Sequence, residues 1–146
     1  MANFVYTRAK VDIMKGLINL HTAGDDIRAI IVMTNSTADV DEDAVTCGGF
    51  TTLDEHDGSG YVIKALANEV VNEDAVNDRG EFDADNITWT SLGAGTRAIK
   101  GIVIIKFVTS VALSQPIAWI DTPSPPNSNG GDWTASWNVE GIVQGG

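Results

Sequence analysis

One cysteine, two histidines and nine basic residues stand in this chain of 146 residues, and each scarcity excludes something. A lone Cys47 can form no intrachain disulfide and no thiolate cluster, so stability has to come from packing or assembly. Set among Thr46, Gly48 and Gly49, it reads as a small packing residue rather than a nucleophile. His21 and His56 each lack the spaced His or Cys partner of a local zinc site. With twenty acidic residues against nine basic ones the net charge is −11. Such a surface repels phosphate backbones and anionic lipid, because nucleic-acid binding needs cations that displace counterions. No apolar run reaches the length needed to span a bilayer. Lys10, Asp12 and Lys15 interrupt what would be the apolar core of a secretion signal. Neither a nucleic-acid partner nor a membrane is expected.

What is present is an ordinary globular composition, 43% hydrophobic and 20% charged, at the size of one domain. The charge is uneven. Residues 1–20 carry Arg8, Lys10 and Lys15 against Asp12, a local +2, whereas residues 39–85 hold fourteen acids against Lys64 and Arg79. The acidic stretch reads as a solvated face.

Residues 1–18 read as an amphipathic helix, with Asn3 as N-cap and Phe4, Val11, Met14 and Ile18 on one stripe. Arg8 and Lys15 share a second face, and Gly16 offers an end. The stripe can lie on the domain's own core or dock on a neighbouring subunit. From residue 20 the period changes from 3.6 to 2. IRAIIVM (27–33) and GIVIIKFV (101–108) are short apolar runs, as strands buried on both faces would be. NITWTSL (86–92) alternates, PIAWID (116–121) opens on Pro116, and YVIKALANEVV (61–71) and Gly80–Ala84 read as further strands. WTASWNVEGIV (133–143) reads as one half-buried strand with Trp133, Ala135, Trp137, Val139 and Val143 on one face. DTPSPPNSNGGD (121–132) is the one long loop. The expectation is a mainly β protein: one domain over 1–146, an antiparallel sandwich or jelly roll of about seven strands over 20–146, led by the helix.

Few stretches carry the pattern of chemistry. GAGTRA (93–98) fits the letters of a dinucleotide fingerprint but precedes a strand rather than a helix, so Gly93 and Gly95 read as hairpin glycines with positive φ. LDEHDGSGY (53–61) fails the EF-hand spacing and ends without the closing acid. Asp57-Gly58 is a turn signal instead, with Gly58 supplying positive φ and His56 exposed. A calcium ion shared between Asp54, Asp57 and the acids near Asp83 and Asp85 is the alternative. No catalytic, cofactor or metal residues are assigned, and no cofactor or enzymatic activity is expected.

ANFVYTRAKVDIMKGLINL, IRAIIVMTNSTADVDEDA, GFTTLDEHDGSGYVIKALANEVV and EFDADNITWTSLGAGTRAIKGIVIIK, in that order, resemble small structural proteins of tailed bacteriophages, over residues 2–142. The resemblance lies in texture and segment order and carries no functional residue across. It implies a virion protein assembled in the bacterial cytoplasm. The first expectation is a decoration or cement protein that binds the major capsid protein or other virion proteins and stabilises the shell, as a homo-oligomer. The alternative is a tail or fibre component, an adaptor or glycan-binding module, for which Trp133 and Trp137 are candidate contacts. For the shell contact the residues are Phe4, Val11, Met14 and Ile18, rimmed by Arg8, Lys10 and Lys15. On that expectation, deleting residues 2–18 leaves a folded β domain that no longer attaches.

Overall fold

The computed structural model describes residues 3–21, 24–122, 128–138 and 140–145. Three apolar runs make its centre. Strand β2 (Ile27–Met33) pairs antiparallel with β7 (Ile99–Lys106), and β7 pairs antiparallel with β8 (Gln115–Asp121), with Ile30 opposite Val103 and Ile104 opposite Ala118. All three are buried along nearly their whole length. That is why the sequence reads as continuous hydrophobic runs and not as alternation. Pro116 lies where the β7–β8 register shifts between Ile104 and Ile105, one of the places a sheet tolerates a residue without an N–H.

Two short strands complete this sheet. β1 (Phe4–Val5) lies against β8 and β3 (Lys64–Ala65) against β2, giving the order β1-β8-β7-β2-β3. A second sheet has the order β10-β5-β4, from β4 (Val70–Asp74), β5 (Arg79–Asp83) and β10 (Val143–Gly145). A third pairs β6 (Ile87–Trp89) with β9 (Trp133–Ala135), Trp89 opposite Trp133. The chain is thus mainly β, with several antiparallel sheets, and among the described residues it has ten strands and one short α-helix. The count exceeds the expected seven because the stretches 61–71 and 133–143 each yield two strands and Phe4–Val5, expected in the helix, forms another.

The N-terminal expectation needs correction. The helix α1 spans Thr7–Met14 only. Phe4 and Val5 pair with Trp119 and Ala118, and Tyr6 enters the helix in extended conformation without a side-chain cap, so Asn3 is not the N-cap. Asn3 instead accepts a hydrogen bond at Oδ1 from the Asp121 amide (2.8 Å). Gly16 does end the helix. At φ +70 it lets its own amide reach Ile13 O (3.0 Å) and that of Leu17 reach Asp12 O (2.8 Å), the paired bonds that close a helix on a left-handed glycine. The inward face is Ala9 and Asp12, not the expected stripe. Asp12 Oδ2 accepts from Arg8 Nε and Gln115 Nε2, both 2.9 Å, and so ties α1 to β8. These two donors, Gln115 first, hold its carboxyl below the usual carboxylate range against the opposing effect of burial.

WTASWNVEGIV is not one strand. Gly141, at φ +91, turns the chain between β9 and β10, which belong to different sheets. Trp137 leaves the ladder and donates from Nε1 to Asp85 O (2.9 Å). Val139 and residues 123–127 of the long loop lie outside the described residues. The 61–71 stretch is likewise broken. It gives β3 and the start of β4, separated by Asn68 at φ +55.

Candidate assembly surface

The two turns that the sequence sets apart, 53–61 and 93–98, form one structure. Asp54 accepts from Arg97 at two points, from Nε and from Nη2, and from the Asn35 amide (2.9 Å). Asp57 accepts from the Thr96 amide (2.7 Å) and from the Thr96 hydroxyl. These partners, Arg97 for Asp54 and Thr96 for Asp57, hold both carboxyls below their ordinary range.

His56 is not exposed as expected. It is buried between the two turns, with Nε2 at 3.2 Å from Gly93 O and its ring edge-on to Tyr61. The glycines serve close packing rather than positive φ, which here belongs to Gly60 and Asp54. A Cβ on Gly58 would stand 2.3 Å from Gly93 O, and one on Gly95 would stand 2.8 Å from both His56 Cε1 and Met33 Sδ.

The acidic stretch is likewise only partly a solvated face. Asp39 is buried and pairs with Lys100 Nζ (2.6 Å), and Asp41 accepts from the Thr37 hydroxyl (2.5 Å) and the Thr51 amide (2.7 Å). Asp41 thus binds loop donors that the sheets leave unused, and Asp39 a side chain of β7. Asp85, the proposed distant calcium partner, accepts from Asn68 Nδ2 (2.6 Å). No group of three His, Cys, Asp or Glu among the described residues is placed to hold a metal ion. Cys47 is buried, and burial pushes its thiol up to about 12.

The expected contact residues are dispersed. Phe4 sits half-buried on β1, edge-on to Tyr6 at 5.0 Å. Ile18 is buried in the core, Val11 is half-buried, and Arg8 is engaged with Asp12. Met14, Lys10 and Lys15 remain exposed, Met14 at 80%, and Leu17, which the sequence reading missed, joins them at 55%. Leu17 lies past the end of the helix, so its exposure follows from the turn at Gly16 and not from helical spacing.

Beside this apolar ridge runs a groove of about 320 Å³, walled by Val5, Lys10, Ile13 and Met14 on one side and by β10 on the other. It adjoins a second hollow of about 490 Å³ that Asn3, Phe4 and Glu140 help to line. The remaining exposed apolar side chains include Val70 and Val71 on β4 and Val76 at the tip of the β4–β5 hairpin. No helix among the described residues is long and apolar enough to cross a membrane.

No known protein family, no curated protein and no solved structure matches this chain.

Proposed function

We propose that the chain is a non-enzymatic, sandwich-like β module that acts by attachment within a bacteriophage particle, as a decoration or cement protein on the assembled shell. The observation that carries this reading is the exposed Met14–Leu17 ridge beside Lys10 and Lys15. Met14 is held outward as the last residue of a helix whose inward face is docked, and Leu17 follows just past Gly16, next to the local positive charge of an otherwise acidic chain. Burying such side chains against a neighbour contributes about 1.5–3 kcal/mol each, while the cations speed and orient docking. Many weak contacts of this kind stabilise a shell because they favour only its assembled state.

Met14→Asp combined with Leu17→Asp tests the assignment. Both positions are exposed, so the fold and its thermal midpoint should be retained, while the amount of chain bound to purified particles should fall at least tenfold. Unchanged incorporation by this variant would place attachment elsewhere.

A tail or fibre component is the second reading. It rests on the crevice of about 190 Å³ that Trp133 and Trp137 line with Ile102, Ile120 and Thr122. Trp133 is there already packed on Trp89, with ring centroids 5.5 Å apart, which leaves less of it for a ligand. Glycan binding by the isolated protein would favour this second reading over the first.

A further inference from the structure

We propose that a second copy of this chain places its β4 strand in the α1–β10 groove, so that copies join head to tail through the two free edges of the three-stranded sheet. This rests on the attachment reading and specifies one partner for the same ridge.

The edges themselves give the first reason. The five-stranded sheet ends on β1 and β3, two residues each, which offer almost no ladder to another chain. The three-stranded sheet ends on β4 and β10. β4 is five residues long and exposed over Val70–Glu73. Successive residues of a strand face opposite sides of its sheet. Because Val70 and Val71 are both exposed, at 40% and 49%, the chain covers neither side of β4. An exposed strand edge of this kind is a template for pairing, and here it lacks the lysine or proline that would block it.

The groove supplies the complement. One side of it is the edge of β10 that no described residue pairs with, and its opposite wall presents Ile13 and Met14. A strand added to β10 would lay one row of its side chains on that wall. Charge selects which strand. Residues 69–85 carry seven acids and one base, Arg79, and Arg79 is already engaged by Asp74 (3.1 Å), Glu81 (3.0 Å) and Glu140 (3.5 Å). Two such hairpins set edge to edge would bring like charges together, which disfavours a two-fold β4–β4 pair. The groove wall offers Lys10, with Lys15 just past the end of the same short helix. Glu140, at the far end of the adjoining hollow, is turned to Arg79. Joining different edges makes a heterologous contact, which closes into a ring or runs on as a filament.

Disulfide trapping tests this in the intact chain. Gln144→Cys is combined in turn with Val70→Cys, Val71→Cys and Asn72→Cys to sample the register. Within one chain β5 separates β4 from β10 by two strand spacings, about 9.5 Å, beyond the roughly 7 Å that a disulfide can bridge. Any bond between these positions therefore joins two chains, and the native Cys47 is buried. At least one double variant should give a ladder of covalent oligomers on oxidation, while each single variant stays monomeric. Lys10→Glu should reduce the ladder severalfold, and adding Glu73→Lys should restore it.

Covalent dimers from a β4 cysteine alone would overturn the proposal in favour of two-fold pairing. The absence of a ladder from every double variant would overturn it as well. Particle binding is measured separately, so a chain that binds particles without forming the ladder keeps the attachment reading and loses this one, and a ladder without particle binding does the reverse.

Discussion

Gly101→Ala is expected to destabilise the fold by about 3 kcal/mol or more, at or beyond the upper end for overpacked cores, and to lower the thermal midpoint by roughly 10 °C for a chain of this length. Gly101 lies in β7, in the middle of the five-stranded sheet, one diagonal step from Trp119 on the neighbouring β8. Trp119 is fully buried, and a Cβ on Gly101 would stand 2.2 Å and 2.5 Å from two atoms of its indole and 2.7 Å from Ile120 O. Neither neighbour can give way. The indole is enclosed on a central strand, and the carbonyl is held in the β8 backbone. The backbone at Gly101 is not in the left-handed region, so the cost is one of space alone. A smaller ring should therefore return part of it, with Trp119→Phe in the Gly101→Ala background more stable than additivity of the two single changes allows. A midpoint unmoved by Gly101→Ala, measured by calorimetry, would mean that β7 and β8 do not pack in this register.

Deleting residues 2–18 should abolish the cooperative unfolding transition, the reverse of what the sequence alone suggests. The segment supplies β1, one edge of the main sheet, and its largest buried side chain is Tyr6, fully covered, with the hydroxyl donating to Ala38 O (2.6 Å) and the ring against Phe50 at 5.7 Å. Ala9 and Ile18 are buried with it. Removing a core aromatic costs about 3–5 kcal/mol and a core aliphatic about 2–5. The sum is comparable with the whole stability of a domain, about 5–15 kcal/mol. The Ala38 carbonyl would also lose its donor. Circular dichroism across a denaturant series is the measurement. A sharp transition retained by the truncated chain would show that the segment is an appendage after all. Tyr6→Phe, which removes only the hydroxyl, should cost about 1–3 kcal/mol and leave the fold intact.

The elements legible in the sequence are those whose signal is local. β2, β7 and β8 read correctly because strands buried on both faces are nearly all apolar, and β6 because Ile87 and Trp89 face in while Thr88 faces out. The N-terminal segment misled because Phe4, Val11, Met14 and Ile18 happen to repeat at helical spacing, although the first and last are held by β8 and the core rather than by α1. In WTASWNVEGIV the alternation from Trp133 to Glu140 runs on past the end of β9 at Ala135, since alternation says nothing of which sheet a residue joins.

His56 was illegible for a different reason. An Asp-Gly turn normally lies at the surface, and here a second turn, thirty-seven residues further on, covers it. The carboxylates of Asp39, Asp41, Asp54 and Asp57 hid their roles in the same way, as their donors from Lys100, Thr51, Arg97 and Thr96 come from other segments. For the candidate surface, composition gave the cations and Met14. It could not give Leu17 or the two open edges, because exposure is a property of the folded chain.

The attachment account is tested most directly by the number of copies of this chain per purified particle, read by quantitative mass spectrometry against the major shell protein. A decoration role predicts hundreds of copies in a fixed ratio to the shell protein, lost together with the shell when particles are disassembled. A few dozen copies or fewer, retained on isolated tails, or no chain in the particle fraction at all, would contradict it.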